Sequence, residues 1–143
     1  MRQQLPRGYL LDDDPSSVDR AAVHEYLSAE AYWALGRPRG VLDQLIDSAA
    51  RVGSLFDVDG AQVGFARAVS DGHTVSYLAD VYVLAGHRGQ GLGLELVRFV
   101  VDDPVLADTK WLLHTRDMHR LYAKVGFTPP SERVMERFPT TPP

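Results

Sequence analysis

The most chemically informative part of the sequence is the run Arg88–Gly93, which has the sequence RGQGLG and which we call the glycine loop. It lies between a run with strand character and an apolar run with helical spacing. A helix N-terminus presents backbone N–H groups without internal partners and a partial positive charge. Glycine lets the backbone approach a ligand closely and adopt positive φ. The loop therefore predicts a cradle for a phosphate or pyrophosphate, in which Arg88 adds a charged donor or orients the loop.

Other glycine-rich motifs fit less well. A Walker loop needs Lys followed by Ser or Thr after the last glycine, and here Leu94 and Glu95 follow. A dinucleotide fingerprint needs Gly-x-Gly-x-x-Gly inside an early βαβ unit, and neither the spacing nor the context is present. A flexible connector remains the alternative on the glycines alone, although the flanking strand and helix argue against it.

Length, charge and cysteine content limit which binding partners and which catalytic groups the protein can have. The chain has 143 residues, 45% of them hydrophobic, which predicts a single domain over 1–143 with a loose tail at 139–143. A net charge of −4 predicts no nucleic acid and no membrane partner, and a homodimer is a possible assembly. The absence of cysteine excludes disulfides and a cysteine acyl intermediate. No leader or membrane-length apolar run is present, so we expect a cytoplasmic protein.

The hydrophobic pattern predicts an α/β (α+β) protein with a mixed, mostly antiparallel sheet flanked by helices. The predicted elements are a strand at Gly8–Leu11, a helix from Ser16 or Ser17 to Ala29, a helix at Val41–Ala50, strands at Ser54–Val58, Gln62–Val69 and His73–Leu84, a helix from Gly91 to about Asp102, a strand at Trp111–Leu113, a helix at Asp117–Lys124 capped by Asp117, and a strand at Arg133–Phe138. A right-handed crossover makes the strands on either side of the third helix parallel. The run Asp12–Asp14 is either a solvated turn or a metal site. No His or Glu is placed to complete such a site, so we predict no metal.

Two motifs resemble those of the GNAT acetyltransferase superfamily. Arg88, Gly91 and Gly93 match the fixed positions of its coenzyme motif, Arg/Gln-x-x-Gly-x-Gly/Ala after a strand. Leu121–Phe127, with the sequence LYAKVGF, is similar to the family's Leu-Tyr-x-x-x-Gly-Phe segment. The order of elements also fits, so the resemblance covers nearly the whole chain. Thr115 departs from the Asn that many members carry seven residues before the Tyr.

The resemblance implies that acetyl-CoA is the co-substrate and that the protein has the GNAT fold. It implies coenzyme contacts from Val81, Val83, Arg88, Gly89, Gln90, Gly91, Leu92, Gly93, Thr115 and Tyr122. His119, near the start of the Tyr-bearing helix, is a further candidate for contact with the coenzyme or the substrate, and the alternative is a solvated helix His. The central strand is expected to part from its neighbour there, so that N–H groups near Val81 and Val83 meet the pantetheine and the thioester oxygen. With no cysteine and no serine in a nucleophile elbow, direct attack by the amine is the simplest route.

Tyr122 and Asp80 are the candidate catalytic residues. In related enzymes the Tyr at this position protonates the departing thiolate, and the alternative is a core Tyr that braces the last helix. Asp80 lies in an apolar strand, where a carboxylate is costly unless it is paired or functional. It is either the base or a ligand for the substrate ammonium, or it pairs structurally with Arg67 or His119. Alternation puts Asp80 and Tyr82 on one face of the strand and Val81 and Val83 on the other.

The candidate acceptor residues are Trp33, Arg37, Phe65 and Arg67. In related proteins the region between the first two helices covers the acceptor pocket, where aromatic rings bind apolar parts and an Arg binds a carboxylate. The alternative is packing for the aromatic side chains and solvent contact for the arginines. The acceptor itself, a small-molecule or peptide amine, is not identified by the sequence.

Three functions remain open at this point. The first is an acetyl-CoA-dependent N-acetyltransferase acting on a primary amine. The second is a catalytically weak acyl-CoA-binding module that acts as a sensor or partner domain. The third is an unrelated α/β interaction domain, which coenzyme binding would separate from the other two.

Overall fold

The computed structural model describes residues 1–140, and in it one six-stranded sheet carries four α-helices. The elements are β1 (Arg2–Gln4), β2 (Leu10–Asp12), α1 (Arg20–Ala29), α2 (Arg39–Ser48), β3 (Arg51–Phe56), β4 (Gln62–Ser70), β5 (Val75–Val83), α3 (Leu92–Val101), β6 (Lys110–Leu112) and α4 (His119–Ala123). Neighbouring strands follow the chain order and are antiparallel, except that β5 and β6 are parallel. This confirms the mixed, mostly antiparallel sheet and the parallel crossover through α3.

The sheet is buried between two apolar clusters. On one face α3 packs its buried residues, among them Leu96, Val97 and Val100, against the strands. On the other face α1 and α2 cover Phe65 of β4 and Tyr82 of β5. The spacing of three and four residues between apolar positions aims each helix stripe at the sheet. β4 is therefore buried on both faces from Gln62 to Ala68, and a charged side chain there or at a buried position of β5 needs partners.

A β-bulge interrupts β5 at Asp80 and Val81. Phe65 pairs with Tyr82 and Arg67 pairs with Ala79, so one residue of β4 faces two residues of β5. Asp80 has φ +58°, a left-handed conformation that is uncommon for a residue other than glycine. Tyr82 packs in the α1/α2 cluster, while Val81 and Val83 pack in the α3 cluster. The predicted division of Asp80 and Tyr82 from the two valines is confirmed.

β5 and β6 separate after a short ladder. They pair only where Val75 to Tyr77 faces Lys110 to Leu112. From Leu78 to Val83, β5 keeps its partner β4, but no strand from residues 1–140 pairs with its other side. Separation of the two parallel strands opens a gap that a side chain or ligand can enter, and the bulge lies at the mouth of this gap.

The predicted strand at Arg133–Phe138 is wrong. Residues 131–140 form no strand and are exposed, and the predicted tail at 139–143 extends outside the described residues. Two features explain why no strand forms there. β6, the strand it would pair with, is only three residues long and offers few ladder hydrogen bonds. Pro129 and Pro130, just before this segment, have no N–H to donate to a ladder. Conversely, β1 is not predicted, because its three residues are polar and exposed. It forms by pairing with β2.

Two helix starts differ from the prediction. α1 begins at Arg20, and Asp19 caps it by accepting the N–H of Ala22, so neither Ser16 nor Ser17 is its cap. Both serines lie in a 3-10 turn that is capped by Asp14. α4 begins at His119 without a side-chain cap from Asp117. Short Asp and Ser side chains cluster near both starts, and spacing alone does not show which carboxylate reaches a free N–H.

The acidic run Asp12–Asp14 is only partly a solvated turn. Asp12 is 2% exposed and accepts from Arg2 and from the N–H of Asp14. Asp13 pairs with Arg51, whose guanidinium also reaches Asp103. The run therefore ties the second strand to neighbouring arginines as well as making a turn.

Candidate active site

A cleft opens where β5 and β6 separate, and we call it the β5–β6 cleft. It has a volume of about 370 Å³ and is lined by the α1–α2 loop, β5, the loop after β6 and α4. Its walls include the predicted site residues Trp33, Arg37, Arg67, Asp80, Val81, Thr115 and Tyr122. A second groove of about 400 Å³ lies beyond β6 and contains neither Asp80 nor Tyr122. We therefore assign the chemistry to the β5–β6 cleft.

Asp80 holds one wall of the cleft together. Its Oδ2 accepts from Arg67 Nε at 2.6 Å and from Arg37 Nη1 at 2.8 Å. Its Oδ1 accepts from Trp33 Nε1 at 2.8 Å. The carboxylate is 1% exposed, so these charge-assisted hydrogen bonds are not shared with bulk water. The three partners come from the α1–α2 loop and β4, which Asp80 joins to β5.

These partners also determine the charge of Asp80. Burial acts to raise the pKa of the carboxyl, but the charges and hydrogen bonds of Arg67 and Arg37 outweigh it and hold that pKa below its usual range. A group that is ionised at low pH and has both oxygens occupied is a poor proton acceptor. We therefore correct the prediction that Asp80 is the base. Of the structural alternatives, pairing with Arg67 is present and pairing with His119 is not.

Tyr122 projects from α4 into the cleft. Its hydroxyl makes no hydrogen bond to any residue between 1 and 140, and its ring meets Phe127 edge-on at 5.9 Å. Burial, with a smaller contribution from Tyr32, raises the pKa of Tyr122 to about 12. The phenol is therefore protonated at neutral pH and can act as a proton donor.

The short motif around Tyr122 has a direct packing explanation. Leu121 lies against α3 so closely that a Cβ on Gly93 would be 3.2 Å from its Cδ1. Gly126 has φ +93°, which lets the chain turn back so that the N–H of Phe127 donates to the carbonyl of Tyr122. The two glycines thus hold α4 against α3 and direct the Tyr122 ring into the cleft.

The glycine loop has the form of an anion cradle. Gly89 and Gly91 have φ +82° and +80°, and Gly91 is the N-cap of α3. A Cβ on Gly91 would meet no atom within 4 Å, so the space above it is open. Backbone N–H groups from Gly89 to Leu94 donate to no described residue. A phosphate placed there would receive several N–H donors at the positive end of a helix.

Two side chains of the glycine loop make hydrogen bonds that hold the loop against the rest of the domain. Arg88 Nε donates to the carbonyl of Val83 at 2.8 Å, and its Nη2 donates to the Tyr26 hydroxyl. Gln90 Nε2 donates to the Tyr9 hydroxyl, which is also 2.8 Å from His87 Nδ1. Of the two roles predicted for Arg88, the structure contains the orienting one.

Comparison with known proteins identifies the family. The sequence pattern of the acetyltransferase (GNAT) domain matches residues 52–129, more than half of the chain. This chain belongs to the GNAT acetyltransferase family. The matched range includes the bulged strand, the glycine loop and the Tyr122 helix of this GNAT domain.

Individual relatives agree with that assignment. A crystal structure of a Xanthomonas campestris protein assigned as a GNAT-family acetyltransferase has a TM-score of 0.85 and 39% identity, covering 91% of this chain and 92% of that one. A Deinococcus radiodurans protein assigned as an acetyltransferase has a TM-score of 0.72 at 24% identity, covering 96% and 94%, which shows the fold alone. A Gibberella zeae protein named as an acetyltransferase is 31% identical over 109 residues, 64% of this chain. That match spans 62% of the length of the Gibberella protein.

Three further residues that were predicted for the site of this GNAT domain lie in different surroundings. Thr115 lines the cleft, and its Oγ1 accepts the N–H of Met118 at the start of α4. His119 is exposed and lies outside the cleft. Phe65 is fully buried in the α1/α2 cluster, so the prediction that its ring binds substrate is wrong. Phe65 and Arg67 are two residues apart, so their side chains lie on the same face of β4, but α1 and α2 cover that face at Phe65.

Sequence analysis did not single out two further contacts. The Tyr77 hydroxyl lies 2.5 Å from His114 Nδ1, and His114 Nε2 lies 2.8 Å from Glu136. Tyr32 accepts the N–H of Arg116, whose guanidinium lies 4.1 Å from the Tyr32 ring centre. Both contacts join segments that are distant in sequence. The one signal in the sequence is that Tyr77 lies two residues before Ala79, which places both on the same face of β5.

Two general properties complete the description. No helix among residues 1–140 is long and apolar enough to cross a membrane. In the same part of the chain, no three His, Cys, Asp or Glu side chains group as metal ligands.

Replacing Asp80 by Asn tests the role of the carboxylate in stability. We expect the free energy of unfolding at pH 7 to fall by about 3 kcal/mol, because two largely buried guanidinium groups lose their counter-charge. Since the folded pKa of Asp80 is lowered, its contribution is present above the unfolded pKa of about 3.9 and is lost on acidification. The difference between wild type and variant, measured by urea unfolding, should therefore shrink below about pH 4.

Asp47→Asn is the control for that experiment, because Asp47 pairs with Arg20 on the surface and is 66% exposed. It should cost less than about 1 kcal/mol. A cost for Asp80→Asn as small as that of the control would contradict the assigned role.

Replacing Gly91 by Val tests the cradle. The branched side chain would occupy the open space where a phosphate is expected, so acetyl-CoA affinity measured by calorimetry should fall at least tenfold, or about 1.4 kcal/mol. Gly72→Val is the matched control, because Gly72 also has φ +80° with nothing within 4 Å of its Cβ but lies in the β4–β5 turn. Equal affinities in the two folded variants would rule the cradle out.

Proposed function

We propose that this GNAT domain transfers the acetyl group of acetyl-CoA to a primary amine by direct attack in a ternary complex. The observation that carries the proposal is the free Tyr122 hydroxyl, which faces a cleft bounded by the unpartnered edge of β5. The glycine loop follows β5 after residues 84–87, and its last residue, Gly93, lies against Leu121 and Val83. Since Leu121 precedes Tyr122, the anion cradle lies beside both the helix that carries the proton donor and the end of β5.

The residues fit the coenzyme by their own geometry. The open space above Gly91 and the free N–H groups from Gly89 to Leu94 suit a pyrophosphate. Gly89, Gln90, Gly91, Leu92 and Gly93 would hold it mainly through the backbone, while Arg88 keeps the loop in place. When bound, acetyl-CoA would supply the acetyl thioester.

Backbone N–H groups of β5 would polarise the reacting carbonyl. The N–H of Leu84 donates to Val63 on β4 at 2.8 Å. Successive N–H groups of a regular strand alternate in direction, so that of Val83 faces the side that β6 has left. Val81 lies in the bulge next to this position and is the second candidate donor. Preorganised donors of this kind stabilise charge that develops on oxygen without any cost of reorientation.

Proton transfer would involve two separate sets of groups. Tyr122 Oη would give a proton to the departing sulfur. Because Asp80 is committed to the arginines, the proton that leaves the amine would pass to Tyr77, His114 and Glu136, which form a chain from the cleft to the surface. Thr115 would position this region by holding the start of α4.

Tyr122→Phe tests the acid. It removes the hydroxyl and keeps the ring packing, so kcat should fall by about 100-fold while the dissociation constant of acetyl-CoA stays within about twofold. The measurement is release of free CoA with an accepted amine, after a screen of amino acids, polyamines, aminoglycosides and peptide N-termini.

Tyr82→Phe is the control for the loss of a buried phenol, since Tyr82 stacks on Tyr26 in the α1/α2 cluster. A folded Tyr122→Phe protein with wild-type kcat would remove Tyr122 from the mechanism. Coenzyme binding without turnover over the whole screen would instead favour a binding module.

His114→Gln tests the proton exit. We expect kcat at pH 7 to fall by about tenfold, the low side for a proton-transfer group, because His114 is 64% exposed and water replaces it in part. The deficit should shrink as the pH approaches the pKa of the acceptor amine, which then arrives unprotonated. His73→Gln, in the exposed β4–β5 turn, is the control. A deficit that does not change with pH would assign His114 a structural role.

A further inference from the structure

The wall of the cleft around Asp80 carries more positive than negative charge. Arg37 and Arg67 both bond to the same carboxylate oxygen, so two guanidinium charges are balanced by one carboxylate. Their side chains are 17% and 11% exposed, which leaves little water to screen the remaining positive charge. A partly buried charge without a counter-ion is unfavourable, and an anionic ligand would relieve it.

Both arginines also have unused donors. Arg37 bonds to Asp80 through Nη1 and Arg67 through Nε, and neither Arg37 Nη2 nor the two terminal nitrogens of Arg67 donate to another described residue. Asp80 and Trp33 hold these groups in fixed positions, so little side-chain entropy is lost when a ligand binds. Guanidinium groups bind carboxylate and phosphate with paired hydrogen bonds.

The other acidic groups at the cleft do not neutralise this wall. Asp117 lines the cleft but is 64% exposed and lies near Arg116. Glu136 is 48% exposed and contacts His114. These two exposed acidic groups have partners of their own, so the second positive charge of the arginine pair is left without a buried counter-ion.

Building on the proposed function, we propose that the acceptor is an amine that also carries an anionic group, a carboxylate or a phosphate, and that Arg37 and Arg67 bind this group. The anionic group anchors one end of the acceptor at the arginine pair and leaves the amine free to reach the thioester. Trp33 and Tyr77 contribute aromatic walls between the two ends.

Matched acceptors test the proposal. Each L-amino acid is compared with its amide, β-alanine with β-alaninamide, and O-phosphoethanolamine with ethanolamine, by kcat/KM for CoA release. The anionic member of a productive pair should be favoured at least about tenfold, as expected for charge-assisted hydrogen bonds. Preference within the carboxylate pairs or within the phosphate pair distinguishes the two ligand sources.

Substitutions then connect that preference to the arginine pair. Arg37→Gln should bring the ratio within each pair close to one, because it raises KM for the anionic member far more than for the neutral one. Asp80 keeps Arg67 and Trp33 in this variant, and thermal unfolding checks that the variant is folded. Arg37→Lys should retain part of the preference. Arg39→Gln, whose surface partner is Asp43, should leave the ratio as in wild type.

A second readout does not depend on turnover. The indole N–H of Trp33 bonds to Asp80, so its NMR signal should shift when acetate or inorganic phosphate is added to the CoA-loaded protein. Trp111, whose indole bonds to Leu106 in another part of the fold, is the internal reference. The Trp33 shift should disappear in Arg37→Gln.

The outcomes separate the two proposals. CoA release with neutral amines at equal or higher kcat/KM would overturn the anionic acceptor and leave the acetyltransferase intact. No release with any amine, together with a Trp33 shift that depends on Arg37, would support the anion site and contradict the transferase. A Trp33 signal that moves only as far as that of Trp111 would overturn the anion site whatever the activity.

Discussion

The buried carboxylate of Asp80 is the constraint on which the site depends. It lies in a left-handed bulge, a conformation that costs energy for a residue with a side chain, and hydrogen bonds from three side chains hold it there. The bulge shifts the register of β5 against β4. The contacts of Asp80 therefore connect the bulge of β5, the positions of the two arginines and the charge of this wall of the cleft.

The two faces of β5 contribute to the two halves of the proposed ternary complex. Asp80 and Tyr82 face the α1/α2 layer, while Val81 and Val83 face α3 and the gap left by β6. A central strand pairs with a strand on each side, but among residues 1–140 the part of β5 from Leu78 to Val83 is paired only with β4. This free edge continues into the glycine loop, so the donors proposed for the thioester and the cradle proposed for the pyrophosphate lie next to each other along the chain.

The roles of the charged and phenolic groups follow from burial. The same desolvation that raises the pKa of Tyr122 and keeps it protonated also acts on Asp80, where two guanidinium charges reverse the result. Tyr122 therefore stays protonated and Asp80 stays ionised near neutral pH, although both line the same cleft. Asp80 is fully engaged by its partners, and the chain that we propose for the amine proton begins instead at Tyr77 and reaches the surface through His114.

The sequence by itself determined the features that depend on neighbours along the chain. The conformation of the glycine loop is local, because only glycine adopts positive φ freely. Tertiary structure decided what residues far apart in sequence do together. Trp33, Arg37 and Arg67 meet Asp80 only after the sheet and helices assemble, and two helices cover Phe65 although its alternation equals that of Arg67. Spacing reports which face a side chain is on, whereas burial and pairing depend on what packs against that face.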